Sequence, residues 1–243
     1  MESILVQVPS ALDAESVSRF RAAIATVTSD GEADGRVVLL RGAPGVFCRG
    51  MRLLPSSNGE DEKRALADFC RCLVAIRFAS CPVLAVVDGE ALAGGVGVAA
   101  ACDVVLATPR SSFALSEVLF GLTPAAIFPL VVERVLVQKA KLMALCGTSY
   151  SAAEAHALGL VDALAPEGDL DGTIKRWVRL VARGESGAVG RLKRLSSGAS
   201  RSELEDAIER GAAETLRALA TPAVRARISA FEAGDVGWSG ELA

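Results

Sequence analysis

Three places in the sequence combine residue types that could do chemistry. The first is a glycine cluster, Gly94, Gly95 and Gly97, within the stretch from Pro82 to Asp103, PVLAVVDGEALAGGVGVAAACD. An apolar run, Val83 to Val87, ends at a turn, Asp88-Gly89. The glycines then open a small-residue helix closing at Cys102-Asp103, and a second apolar run, Val104 to Ala107, follows. Strand, glycine turn, helix, strand is a unit that aims unpaired backbone N–H groups at an anion. A helix start adds about half a unit of positive charge, and glycine lets a ligand oxygen come up to the backbone. The alternative is a glycine-rich packing contact between helix and sheet, and spacing alone leaves both open. Neither GxxxxGKS/T nor GxGxxG is present, which argues against the nucleotide-binding versions of this unit.

The second place is Glu117, in the apolar context Phe113-Ala-Leu-Ser-Glu-Val-Leu-Phe120. Burial there disfavours the charged form and brings the carboxyl pKa toward working pH, as an acid/base group requires. The alternative is a structural glutamate bonded to backbone donors. The third is GAPGVFCRGMRLLPSSNGED, residues 42–61, expected as an irregular loop just past a strand end, where ligands collect in open α/β sheets.

Much other chemistry is limited by composition. The chain has one histidine, His156, and one tyrosine, Tyr150, so a histidine-rich metal site is impossible and any Ser-His-Asp or Cys-His site would need His156. The six cysteines (48, 70, 72, 81, 102 and 146) lie in apolar or helical contexts and form no CxxC, so buried reduced thiols are expected. Net charge is −3, against general nucleic-acid binding. The N-terminus MESILVQVPS has no basic region typical of a signal peptide, and the apolar runs are too short to span a membrane, so a cytoplasmic location is expected.

The elements that must position these residues read as β/α first and all-helical afterwards. Ile4–Val8 is an expected edge strand. Asp13 caps a helix through about Val27, with Val17, Phe20, Ile24 and Val27 at helical spacing. Loops are expected at Asp30-Gly31 and Asp34-Gly35, and a buried strand over Arg36–Arg41. A polar loop over Ser56–Glu60 leads to an amphipathic helix over Asp61–Phe78. Ser112–Leu115 is a short strand, and Pro124 suits the first turn of a helix. Helix continues through Val131–Cys146. Ser151-Ala-Ala-Glu154 is a capping box on a helix ending at Gly159, and Leu160–Leu164 is a last strand. From Asp169 onward the pattern is helical and charged, with Pro222 starting the last helix. A core over residues 1–168 with a helical region over 169–243 in the same fold unit is expected.

Four segments together resemble the crotonase, or enoyl-CoA hydratase/isomerase, superfamily. They are Val46-Phe-Cys-Arg-Gly-Met-Arg-Leu53, Pro82–Asp103, Phe113–Pro124 and Ala153-Glu-Ala-His-Ala-Leu-Gly-Leu-Val-Asp162. The resemblance implies an α/β fold, a stacked ββα superhelix closed by C-terminal helices, assembled as a homotrimer or hexamer. DGEALAGGVGVAAACD, SFALSEVLFGLTPA and Arg191-Leu-Lys-Arg-Leu-Ser196 look, more narrowly, like the dehydratases of polyketide β-branching cassettes. These remove water from a 3-hydroxy-3-methylglutaryl group on an acyl carrier protein, giving the 3-methylglutaconyl thioester.

The resemblance assigns the oxyanion-hole donors to the backbone N–H groups of Met51 and Gly94, and the proton transfers to Glu117. Gly50 and Gly95 permit the backbone path. Two-carboxylate hydratases carry a second glutamate where this chain has Gly97. Arg52 stands where many relatives have aspartate. Arg49 or Arg52 is a candidate for binding the free carboxylate of a glutaryl substrate or the phosphate of a phosphopantetheine arm; the alternative for each is a solvated loop arginine. Lys139, Lys141, Lys193 and Arg194 are candidates for meeting an acidic carrier protein, with ordinary surface charge as the alternative. Asp88 is read as shaping its turn, and His156 as structural. The substrate carrier is an acyl-phosphopantetheine or acyl-CoA, and no metal or redox cofactor is implied. Competing readings are a Δ3,Δ2-enoyl-CoA isomerase, the companion decarboxylase, and a non-enzymatic binding protein of the same fold.

Overall fold

The computed structural model describes residues 3–28, 36–52, 59–196 and 198–232. The turns expected at Asp30-Gly31 and Asp34-Gly35, Leu53 of the first motif, Ser56–Asn58 of the polar loop, and residues 233–243 lie outside the described residues.

The chain begins β1 (Ser3–Gln7), α1 (Ala14–Thr28), β2 (Val37–Arg41), β3 (Gly45–Cys48), α2 (Glu60–Arg77), β4 (Val83–Val87), β5 (Gly89–Leu92) and α3 (Gly94–Ala101). It continues β6 (Val104–Ala107), β7 (Ser112–Ala114), one 3-10 turn (Glu117–Phe120), α4 (Phe128–Arg134), α5 (Val137–Cys146), β8 (Tyr150–Ser151), α6 (Ala152–Ala157) and β9 (Ala163–Leu164). Four helices finish it: α7 (Leu170–Val181), α8 (Ser186–Ser196), α9 (Arg201–Leu219) and α10 (Pro222–Glu232).

Two sheets result. The first is all parallel, in the order β1-β2-β4-β6-β9. Val38, Leu40, Val83, Ala85 and Val105 of its strands join the main core with α1 and α2. Val37, Leu39, Leu84 and Leu106 face the other way, against Ile174, Trp177 and Val178 of α7. Burial on both faces is why these strands read as unbroken apolar runs. The second sheet, β3-β5-β7-β8, is parallel except for β8. The units β2-β3-α2 and β4-β5-α3 each give one strand to each sheet and then a helix, which is the ββα superhelix.

Several expectations need correction. The irregular loop over residues 42–61 contains β3, and Asp88-Gly89 leads into β5 before any helix begins. Both strands start at glycine, because their backbones nearly touch: a Cβ on Gly89, at φ +137°, would stand 2.1 Å from the Gly45 carbonyl. The helix expected over Val131–Cys146 breaks at the extended residues Val135 and Leu136. Arg134, just before the break, is tied to the Cys102 carbonyl at 2.9 Å and to Asp162. Pro124 does not start α4. Its carbonyl accepts from Ile127 and Phe128 in a preceding turn, and Pro129 occupies the first turn instead. The last strand shrinks to Ala163–Leu164 because the N–H groups of Leu160 and Val161 bond the Ala155 carbonyl and close α6. Five cysteines are buried, but Cys146 is exposed at the end of α5. Burial pushes the thiols of Cys48, Cys70 and Cys72 up to about 12, leaving them unreactive at neutral pH.

Other expectations match. Val17, Phe20, Ile24 and Val27 are the buried residues of α1, and Ser16 N–H donates to Asp13 Oδ1 at 2.8 Å. The Ser151–Glu154 capping box is formed, and Pro222 starts α10. Lys193 is not a surface charge. It is 5% exposed, and its Nζ donates to Asp103 Oδ2 at 2.8 Å and to the Ile76 and Cys81 carbonyls, so α8 is bolted to the first sheet.

Candidate active site

The pairing of β3 with its neighbours leads directly to the first donor. Past Cys48 the chain runs beside residues 10–12. Arg49 N–H donates to the Ser10 carbonyl at 2.8 Å, Leu12 N–H to the Gly50 carbonyl at 2.9 Å, and Arg52 N–H to the Leu12 carbonyl at 2.8 Å. An extended chain alternates the direction of its polar groups. With Gly50 C=O and Arg52 N–H turned toward Leu12, Met51 N–H points the opposite way. Gly50 has φ +83°, a conformation that favours glycine, and its N–H is held by Cys48 Sγ at 3.4 Å.

The second donor comes from β5. Ala93 follows that strand with φ 49° and ψ −117°, the only positive-φ non-glycine among the described residues. Such a conformation costs on the order of 1–3 kcal/mol and persists only where surrounding contacts impose it. Here Ala93 N–H bonds the Ala114 carbonyl of β7 at 2.8 Å, while its own carbonyl accepts from Val96 and Gly97. Pinned from both sides, Ala93 turns the chain sharply into α3 and presents Gly94 N–H at the helix start. Neither Met51 N–H nor Gly94 N–H donates to an acceptor among the described residues. The two loops touch: a Cβ on Gly50 would lie 3.0 Å from Gly94 N. Gly95 is required by the same approach, since a Cβ there would lie 2.1 Å from the Cys48 carbonyl oxygen.

Met51, Gly94 and Glu117 line one cavity of about 370 Å³. Leu66, Phe69, Leu122, Ile127 and Leu219 supply most of its apolar wall. Glu117 begins the 3-10 turn, which follows β7 after Leu115 and Ser116. The residue is half-buried overall, yet its Oε2 is shielded from solvent and has no hydrogen-bond partner among the described residues. Burial pushes its carboxyl up to about 7, partly opposed by its own backbone N–H. A carboxyl that is half ionised near neutrality, in one cavity with two N–H groups that lack an acceptor among the described residues, can exchange a proton next to a carbonyl whose oxygen those donors hold.

The space beside Gly97 is closed. A Cβ on Gly97 would stand 2.3 Å from Ile127 Cγ2, and Ile127 is buried in the cavity wall. The cavity's other carboxylates, Asp13, Asp61 and Glu62, are committed elsewhere: Asp13 to the start of α1, Asp61 to Arg64 at 2.7 Å, and Glu62 to Arg225 at 3.8 Å.

The two arginines separate. Arg52 lines the cavity with no carboxylate at ion-pair distance among the described residues, though its charge helps lower the pKa of the Asp13 carboxyl on the same wall. Arg49 does not line it; its Nε donates to Glu90 Oε2 at 2.7 Å, between two largely exposed side chains. His156 holds the Val161 carbonyl at 2.8 Å, and neither it nor Tyr150 lines the cavity. Asp88 accepts from Thr108 and Arg110, tying the β4–β5 turn to the β6–β7 turn. No group of three or more His, Cys, Asp or Glu among the described residues could hold a metal ion.

A family model described as enoyl-CoA hydratase/isomerase matches residues 6–236. The chain belongs to the enoyl-CoA hydratase/isomerase family. An enoyl-CoA hydratase from Mycobacterium avium superposes with a TM-score of 0.81 at 30% identity, covering 95% of this chain and 91% of that one. An enoyl-CoA hydratase from Bacillus halodurans superposes with a TM-score of 0.85 at 20% identity, covering 94% and 96%. The bacillaene synthase dehydratase PksH of Bacillus subtilis is 35% identical over 138 residues, which are 55% of this chain and 53% of PksH. The match thus spans about half the length of that relative. Against this family background, sequence reasoning missed Ala93, Cys48 and Ile127. Nothing marks Ala93 or Cys48 locally; Ile127 was legible only as an apolar residue after Pro124.

Proposed function

We propose that the protein is a hydro-lyase that dehydrates a 3-hydroxyacyl thioester, and that its substrate is a 3-hydroxy-3-methylglutaryl group carried by an acyl carrier protein. The observation that carries the reading is the Glu117 carboxyl, whose shielded Oε2 has no partner among the described residues, sharing a cavity with two N–H groups that have no acceptor among those residues, while Ile127 fills the space beside Gly97. The likeness to a protein named as a dehydratase favours elimination.

In this reading the thioester oxygen accepts from Met51 N–H and Gly94 N–H. Glu117, as carboxylate, takes the C2 proton, and the electron pair moves onto the oxygen as an enolate. The enolate then expels the C3 hydroxyl, which receives the proton back from Glu117 and leaves as water. A C2–C3 double bond forms and Glu117 returns to carboxylate, so the cycle balances with one acid/base and no redox cofactor or metal. Arg52, at the cavity wall with no carboxylate at ion-pair distance among the described residues, is the group for the substrate's free carboxylate. Homotrimer or hexamer formation is part of the same proposal; the exposed Leu136, Val137 and Leu145 of the α5 region are supporting surface. So is a cytoplasmic location; among the described residues no helix is long and apolar enough to cross a membrane.

The test is mass spectrometry of a hydroxymethylglutaryl-loaded carrier protein incubated with the enzyme. Loss of one water is expected. A 3-methylglutaconyl carrier that loses carbon dioxide instead would make the protein the decarboxylase. A 3-enoyl-CoA converted to its 2-enoyl isomer at constant mass would make it the isomerase. A carrier bound without change would make it a binding protein.

A further inference from the structure

The catalytic cavity has a neighbour. A second hollow of about 430 Å³ lies between α2 and α9, with Ala67, Val74, Ile208, Ala212 and Ala213 among its lining. Two residues line both spaces: Leu66 of α2 and Leu216 of α9. Leu66 is 6% exposed, and Leu216 is partly buried against the main core. Leu66 and Leu216 thus stand at the divide between the cavity and the groove. Beyond them Ala67, Cys70, Val74, Ile208, Ala212 and Ala213 give the groove an apolar strip, while Lys63, Arg71, Arg201, Glu205 and Glu209 also line it, so a chain passing the divide would meet an apolar surface bordered by charge.

The divide is not what holds α9 in place. Leu204 and Ile208 of α9 are buried in the main core, and the helix backbone lies so close to Ala125 that a Cβ on Gly211 would be 2.3 Å from its carbonyl. Arg201 at its start sits over the Phe78 ring at 5.9 Å. Trimming Leu216 therefore changes the wall more than the scaffold.

We propose that Leu66 and Leu216 form a partition that sets the length limit of the acyl group, so that the site takes compact acyl thioesters and excludes long linear ones. This rests on the thioester reading above. With the partition in place, methylene groups beyond the wall find no apolar surface to bury. With it removed, each added methylene enters the groove and gains the free energy of leaving water.

Saturated acyl-CoA thioesters from butyryl to decanoyl test this by calorimetric titration, since they bind without turning over. For the wild type, affinity is expected to fall by about tenfold or more between hexanoyl and decanoyl. Leu216→Ala should reverse the trend, with decanoyl at least about tenfold tighter than hexanoyl. Leu66→Ala, on the facing helix, should do the same, while Leu216→Phe should keep the wild-type profile. A wild type that binds decanoyl more tightly than hexanoyl overturns the partition. So do two folded alanine variants that keep the wild-type length profile. Absence of binding to every thioester by every form overturns the thioester reading itself, a result distinct from a flat length profile with good affinity.

Discussion

The two sheets of this protein are held together in different ways. The first is a burial structure: Val37, Leu39, Leu84 and Leu106 on one face and Val38, Leu40, Val83 and Ala85 on the other are all removed from water. The second sheet has shorter strands; it too buries side chains, Phe47, Ala91 and Phe113 among them, and adds a close backbone approach of Gly89 to Gly45. The first could lose a side chain and keep its geometry. The second cannot gain one at Gly89 without displacing Gly45, and α3 cannot gain one at Gly95 without displacing Cys48 of β3. Both sheets bury apolar side chains, and the close backbone approaches that shape the site lie around the second.

The sharpest way to separate the two is Glu117→Gln, which keeps shape and removes the proton exchange. Turnover is expected to fall roughly 100- to 10,000-fold, with the fold intact by circular dichroism. Wild-type rates in this variant would remove Glu117 from the chemistry. Its counterpart in the first sheet is Leu84→Ala. This should cost about 2–5 kcal/mol of stability in denaturant unfolding and leave turnover of the folded enzyme nearly unchanged. A large loss of turnover there would mean that the two sheets are not separable.

The same division explains what could be read from sequence. β2, β4 and β6 were legible because a strand buried on both faces must be an unbroken apolar run. The buried face of α1 was legible because Val17, Phe20, Ile24 and Val27 follow the helical period. β3 and β5 were not, because their pairing depends on what glycine lacks, and a missing side chain leaves no pattern of hydrophobicity. Glu117 was legible from its apolar flanks. Gly94 was legible as a helix start, but Met51 came only from family likeness, since its freedom as a donor depends on pairing with Leu12, far away in sequence. Ala93 was illegible because its strain is imposed by β7, and alanine itself gives no sign of it. The break at Val135–Leu136 was hidden for a similar reason: Arg134 is pulled by Cys102 and Asp162, and neither is local.

Gly94 tests whether the second sheet's contribution is backbone chemistry. Gly94→Pro deletes one N–H at a first helical position, where proline's fixed φ is tolerated. Loss of one such donor costs about 3–4 kcal/mol in transition-state stabilisation, a fall of roughly 100- to 1,000-fold in turnover. Gly94→Ala keeps the N–H and needs only a small yield from the Phe69 ring, whose Cζ would lie 3.2 Å from the new Cβ. It should retain most activity. Equal loss in both variants would assign the effect to packing.

The Glu117 carboxyl also couples the site to stability. Its folded pKa of about 7 lies above the ordinary value of 4.5, so the folded state holds a proton that the unfolded chain gives up. That stabilisation is fully present below pH 4.5, declines as pH rises, and is lost through pH 7. A shift of this size is worth about 3 kcal/mol at most. Unfolding titrations of wild type and Glu117→Gln across this range should show the variant gaining stability relative to wild type as pH rises. A difference independent of pH would mean that the carboxyl is not held in its neutral form by burial.

The smallest expected effects divide the two arginines that the sequence could not tell apart. Arg49 faces Glu90 in an exposed pair, a contact worth about 0–1 kcal/mol, so Arg49→Ala should leave KM unchanged. Arg52 lines the cavity, and Arg52→Ala should raise KM for a glutaryl thioester about tenfold, equivalent to about 1.4 kcal/mol. The same variant should treat a 3-hydroxybutyryl thioester, which has no second carboxylate, as the wild type does. If KM rises equally for both substrates, Arg52 meets the carrier arm and not the acyl group. If Arg49→Ala raises KM instead, the Glu90 pair opens in the complex, and the second sheet recruits a charge that the free protein keeps on its surface.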